Sequence, residues 1–213
     1  MKIKTLEVGP LAVNCYLVHD EKGSGIVIDP GDEGNRILEE VAKEGFKVTH
    51  IIDTHGHFDH IGGNGILKEQ TGAPLLIHEG DVEFLKHADT AAARFGLRAE
   101  PSPEPDNLLN DGDTIESGDL TIKVIHTPGH SPGGVSLLID GILITGDTLF
   151  AGSIGRTDLP GGVHEELLNS VRTRIFTLDD EITIYPGHGP TSTIGHEKES
   201  NPFFTTGSFS MEF

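Results

Sequence analysis

Seven consecutive residues, Thr54-His55-Gly56-His57-Phe58-Asp59-His60, restrict this chain more than any other stretch of it. They follow Val48-Thr49-His50-Ile51-Ile52, an apolar, β-branched run that reads as a buried strand. They precede Ile61-Gly62-Gly63 and a short helical segment over 64–69. The motif is therefore the loop leaving the C-terminal end of a strand. In extended backbone, residues two apart point the same way, so His55 and His57 can present their imidazoles to one point. As the chain turns toward the helix, Asp59 and His60 face a second point close by. Imidazole nitrogen and carboxylate oxygen are the donors a zinc-like divalent ion takes. Polar loops do collect histidines without function, but three histidines and an aspartate directly after a buried strand point to a metal site.

Three later strands end in the same way. The segment 120–125 leads into His126-Thr127-Pro128-Gly129-His130-Ser131-Pro132-Gly133, 142–144 into Thr145-Gly146-Asp147-Thr148, and 182–185 into Pro186-Gly187-His188-Gly189. Ligand sites in α/β folds gather outside the C-terminal ends of strands, and glycine and proline let the backbone turn sharply there. Each signal is weak alone; with the first motif they supply seven ligands for two divalent ions, zinc first, with iron and manganese as alternatives. His55, His57 and His130 are assigned to one ion, and Asp59, His60 and His188 to the other. Asp147 has two carboxylate oxygens and bridges them. Two such ions, roughly 3.5–4 Å apart, share a water, lower its pKa and polarise a carbonyl. No serine-histidine-acid signature is visible, and none is required; Asp59 and Asp147 are the carboxylates counted as catalytic.

The rest of the chain reads as antiparallel strands followed by strand-helix alternation, an α/β layout. A helix is expected from a cap at Asp32 to Gly45, and another, amphipathic, over 163–176. The segment 99–107 carries three prolines and no apolar periodicity, so it is a connector. Because the second half delivers residues that only make sense beside the first half's motif, 1–213 is read as a single domain of two halves. The 34 acidic residues against 15 basic ones give a net charge of −19, which disfavours nucleic acid and anionic membranes as partners. The stretch from Met1 to Pro10 lacks a signal-peptide run and no segment suits a bilayer. The single Cys15 excludes an intrachain disulfide and reads as core packing, so a cytoplasmic location is expected. Oligomeric state is left open. His126 and His78 read as loop residues, Asp53 is left out of the site, and Phe203, Phe204, Phe209 and Phe213 are expected to pack back on the body or on another subunit.

With these residues in hand, the chain resembles the metallo-β-lactamase superfamily. The resemblance rests on 54–60 and the spaced His130, Asp147 and His188, and runs from Asn14-Cys15-Tyr16 and Ile28-Asp29-Pro30-Gly31 to Gly195-His196-Glu197. Gly146-Asp147-Thr148-Leu149-Phe150 and Gly155-Arg156-Thr157-Asp158 look like its glyoxalase II-like branch. The resemblance implies an αβ/βα four-layer sandwich with the metals at one edge. It also implies hydrolysis of small acyl thioesters such as S-lactoylglutathione, Asp29 steadying the metal loop, and Arg156 as a basic substrate contact. The other reading of Arg156 is an ion pair with Asp158. Two departures stand out: no counterpart of the glyoxalase II C-terminal helical domain is expected within 1–213, and Gly189 and Pro190 follow His188 where that family has an acidic residue and a tyrosine. The alternative enzyme is a persulfide dioxygenase with one iron, which shares the Gly-Arg-Thr-Asp run. A β-lactamase, an RNA-processing nuclease and a metal-stabilised binding module rank below it.

Overall fold

Strand β2 (Val13–His19) is buried along its whole length, and alternation of its side chains explains how one strand serves two cores. Tyr16 and Val18 face one way and Cys15 and Leu17 the other. The structure is a computed structural model and describes residues 1–205. In its first sheet the order is β1 (Lys2–Val8), β2, β3 (Ser24–Ile28), β4 (Lys47–Ile52), β5 (Leu75–His78) and β6 (Asn107–Leu109). The pairs β1/β2 and β2/β3 are antiparallel, and β3 to β6 run parallel. The second sheet runs β14 (Ser192–Thr193), β13 (Thr183–Pro186), β10 (Ile142–Gly146), β9 (Val135–Ile139), β8 (Leu120–His126) and β7 (Thr114–Ser117). Here β10 and β13 are parallel. A small hairpin, β11 (Leu149–Phe150) with β12 (Ser153–Ile154), follows β10.

The sheets pack face to face through Tyr16, Ile28 and Ile52 on one side and Ile122, Leu137 and Ile144 on the other. Helices α1 (Gly34–Glu44) and α3 (Asn64–Thr71) cover the outer face of the first sheet through Ile37, Val41 and Leu67. Between them lies the single turn α2 (Phe58–Ile61). Helices α4 (Val82–Lys86) and α5 (Ala88–Ala93) enclose a smaller core with Ile61, Ile77 and Leu85. On the second sheet's outer face sit α6 (His164–Ser170) and α7 (Ile194–Ser200), with Leu167, Val171 and Ile194 buried. A last turn, α8 (Pro202–Thr205), follows. The layers are helix, sheet, sheet, helix, the four-layer order the resemblance implies.

Several local expectations need correction. Helix α1 starts at Gly34 behind Glu33, whose φ of 54° is left-handed; Asp32 instead accepts from the Glu33 backbone N–H at 2.6 Å. The helix expected over 163–176 is α-helical only through Ser170 and widens to a π-type turn over Val171–Ile175. The connector is shorter than 99–107, because Asn107 already pairs with Leu76. Phe204 packs on Phe176, with ring centroids 4.9 Å apart, and lies under Arg172, whereas Phe203 is exposed. Phe209 and Phe213 lie outside the described residues. Cys15 is buried in the core, and burial pushes its thiol pKa up. No helix among the described residues is long and apolar enough to cross a membrane.

The sheets are stitched together at one edge. Val135 N donates to Thr54 O at 2.9 Å and Asn14 N to Gly187 O at 2.8 Å. The Asn14 side chain donates to Pro186 O (3.0 Å) and Gly189 O (2.9 Å), and the Tyr16 hydroxyl also reaches Pro186 O (2.6 Å). These bonds bring the C-terminal ends of β4, β8, β10 and β13 to one place.

Candidate metal centre

The first motif is pinned at both ends by Asp29, which follows β3 with a left-handed φ of 50°. Its two oxygens accept from Thr54 N and Thr54 Oγ1, each at 2.7 Å, and Oδ2 also lies 3.1 Å from His60 Nδ1. A second buried carboxylate, Asp81, accepts from Gly56 N (2.9 Å), Ser131 Oγ (2.7 Å) and Gly133 N (2.6 Å). It therefore ties the loop carrying His55 and His57 to the loop carrying His130. Burial pushes the Asp81 carboxyl up, against those three hydrogen bonds. Gly187 has no room for a side chain: a Cβ there would lie 2.2 Å from Asp147 Oδ1 and 2.8 Å from His60 Cε1.

One nitrogen of most site histidines is committed to an outer partner. His130 Nδ1 donates to Arg156 O (2.7 Å), His188 Nδ1 to Leu11 O (3.1 Å), and His55 Nδ1 lies 3.2 Å from Thr54 Oγ1. Holding Nδ1 in this way fixes the ring and turns Nε2 toward the centre. There, His55 Nε2, His60 Nε2 and Asp147 Oδ1 are buried with no hydrogen-bond partner among the described residues. Buried polar atoms in folded proteins are almost always partnered, so these orphans fit bound cations.

The electrostatics divide the site. Burial, with His60 beside it, pushes His55 well down, and burial with His130 nearby takes His57 to about 3, so both rings are neutral donors. Burial would lower His60 too, but Asp147, Asp29 and Asp59 outweigh it and raise its pKa to about 10. These carboxylates gather positive charge at the ring, which a cation on Nε2 would supply in place of the proton. Burial likewise works against charge on Asp59, yet His60 and His188 keep its carboxyl below the usual range.

The seven sequence-derived positions come together. The donor atoms of His55, His57 and His130 lie within 4.8 Å of one another, as do those of Asp59, His60 and His188. Asp147 touches both groups: Oδ1 is 3.4 Å from His60 Nε2, and Oδ2 is 3.5 Å from His130 Nε2 and 3.7 Å from His188 Nε2. A third grouping, Asp29 with His55 and His60, is equally compact, but both Asp29 oxygens are already occupied by Thr54. His126 stacks on His78, with centroids 4.2 Å apart, and bonds to Pro132 O outside the cluster. Asp53 accepts from Asn64 and stays outside it as well. Arg156 is gripped by Asp158 through two 2.7 Å bonds while its carbonyl holds His130. Sequence reasoning missed the roles of Asp81 and Asn14. Asp81 stands just past the end of β5, so the strand-end rule that found His130 could have found it.

A cavity of about 480 Å³ opens onto His57, Asp59, His130, Asp147 and His188 and is walled by Phe84, Phe95, Phe150 and Leu159. A larger one, about 560 Å³, lies behind Leu11, Phe58 and Asp59 but touches none of the histidines. The smaller cavity is therefore the one that opens onto the histidine cluster.

Fold and cluster together define a class, and sequence comparison agrees: a profile of the metallo-beta-lactamase superfamily matches residues 8–195. The chain belongs to that superfamily of metal-dependent hydrolases. It is 35% identical over 210 residues to hydroxyacylglutathione hydrolase GloC of Haemophilus influenzae, covering 97% of this chain and 99% of the relative. Among solved structures, the B3 metallo-beta-lactamase BLEG-1 is 34% identical with a TM-score of 0.91, covering 96% of this chain and all of the other. TTHA1623 in a di-iron-bound form is 38% identical with a TM-score of 0.87, covering 94% and 99%.

Proposed function

We propose that this protein hydrolyses acyl thioesters at a two-cation centre held by His55, His57 and His130 on one side and Asp59, His60 and His188 on the other, with Asp147 between. The observation that carries the reading is the reach of Asp147 to histidines of both groups, beside orphaned nitrogens and a substrate-sized cavity. When bound, divalent cations supply a water activated at neutral pH and polarise the acyl carbonyl. The chain supplies the rest. Neutral His55 and His57 give lone pairs without first losing a proton, and ionised Asp59 accepts a hydrogen bond from the attacking water. Phe84, Phe95 and Phe150 give the cavity an apolar wall beside the histidines, against which the acyl portion can pack. Likeness to GloC supports the thioester, and likeness to the di-iron form of TTHA1623 supports two ions without choosing zinc over iron. A second reading, persulfide oxidation on one iron, rests on the run from Gly155 to Asp158.

The test is metal analysis of protein purified without chelator, followed by one panel: thioesters, a β-lactam and glutathione persulfide. About two equivalents of metal with thioester turnover and no oxygen uptake is the expected result. One equivalent of iron with oxygen consumption on the persulfide would replace the reading.

A further inference from the structure

We infer that Arg94, at the C-terminal end of α5, determines substrate specificity by binding an anionic oxygen group, carboxylate or phosphate, on the thiol portion of the substrate. The inference rests on the thioesterase reading above and adds a residue and a substrate class to it. Two arginines line the cavity that faces the histidines, Arg94 and Arg156. They are not equivalent. The Arg156 guanidinium is paired along its Nε/Nη2 edge with Asp158, so one fork of the arginine that the resemblance offers as a substrate contact is already engaged. The Arg94 side chain has no hydrogen-bond or ion-pair partner among the described residues; only its backbone N–H is engaged, by Ala91 O at 3.2 Å. Arg98 is likewise unpaired among the described residues but lines the cavity that touches none of the histidines, whereas Arg94 lines the one that faces them.

Its position fits a ligand. Arg94 lines both the 480 Å³ cavity and an adjoining one of about 250 Å³, which share His57, Phe58, Phe84, Ala91 and Pro160. A thioester with its carbonyl at the histidine wall therefore has an apolar path past Phe84 toward Arg94. The planar guanidinium fork binds carboxylate or phosphate through paired hydrogen bonds, and Phe95 beside it lines the same cavity. The neighbouring Asp59 and Asp147 face the same cavity, so an anion seated away from them and beside Arg94 avoids their repulsion.

The experiment compares three acetyl thioesters on metal-loaded enzyme: those of 3-mercaptopropionate, 4′-phosphopantetheine and neutral pantetheine. The readout is the ratio of kcat/KM for each anionic thioester to that for the neutral one. Arg94→Ala should lower this ratio roughly tenfold or more for the anion the site takes, the usual worth of a hydrogen bond to a charged group. The loss should fall on KM, because the contact is made in ground and transition states alike. Arg94→Lys should keep part of it, and which thioester responds decides between carboxylate and phosphate. An unchanged ratio in Arg94→Ala, or a loss appearing in Arg156→Ala instead, would overturn the proposal. So would a lower Tm with no change in ratio, since that marks a helix cap alone. Calorimetry with the S-methyl thioethers of the two anionic thiols reads binding without turnover. If the wild type cleaves no thioester, the thioesterase reading fails, and equal thioether affinity in wild type and Arg94→Ala then removes Arg94 as well.

Discussion

Asp147 contacts three site histidines from a single carboxylate, so its loss cannot be absorbed by one neighbour. Asp147→Ala should lower metal content and cut turnover by more than about a hundredfold, beyond what loss of an outer partner typically costs; full metal content with normal turnover would sink the assignment. Asp81 acts at one remove. Asp81→Ala strips the acceptor from two buried backbone N–H groups and a hydroxyl, each worth about 1–3 kcal/mol when left unpaired. The variant should melt earlier and also bind metal more weakly, whereas Asp81→Asn, which keeps one acceptor, should fall between; a lower Tm with unaltered metal affinity would show that it does not align the loops. The contrast with the seven candidate ligands explains what could be read beforehand. Histidine and aspartate at tight spacing after a strand carry their chemistry locally. Asp81 and Asn14 have ordinary local sequence, and their work depends on Gly133 and Pro186, 52 and 172 residues away.

Among the elements, β1 and β8 were legible because each alternates over seven residues, and β2 because it pairs with β3 across the turn at 20–23. Strand β6 has three residues and β11, β12 and β14 two each, too few for a period to show. Helix α5 was missed because Ala88–Ala93 has six residues, four of them alanine, and no stripe of large apolar side chains. The attachment of α1 to the sheet edge offers a test at this scale. Lys4 of β1 holds Glu40 and Glu44 at 2.6 and 2.8 Å, and Lys43 joins Glu40 at 2.6 Å. The Glu40 carboxyl is held down to about 2 by its hydrogen bonds to Lys4 and Lys43. A pKa depressed by folding means a contribution complete above about 4.5, the unfolded value, and lost as pH falls through about 2. Glu40→Gln should therefore lower Tm slightly at pH 7, surface pairs being worth little, and the gap from wild type should close by pH 2. A gap constant with pH would show that charge is not the cause.

In the whole molecule, the first sheet draws on residues 2–109 and the second on 114–193, and the candidate ligands come from both. The four-layer plan was legible because the resemblance covers nearly all of the chain. The 480 Å³ cavity was not, since its aromatic wall is assembled from α4, the segment after α5, and β11. Cations that bind only the folded state stabilise it by mass action, about 2.7 kcal/mol at a free concentration a hundred times Kd. Removing them with chelator should lower Tm, and re-adding metal should restore it; an unmoved Tm would mean that the cluster holds no ion across the sheets. The bonds from Asn14 and Tyr16 to Pro186 also have a consequence for synthesis. These partners are 172 and 170 residues apart, so at about 5–20 residues per second the ribosome makes the first two wait on the order of 10–35 s. Until β7 to β10 (114–146) follow, the inner face of β2 and β3, with Tyr16, Val18, Ile26 and Ile28, has no second sheet to cover it. That face stays exposed on the nascent chain for the first part of the wait.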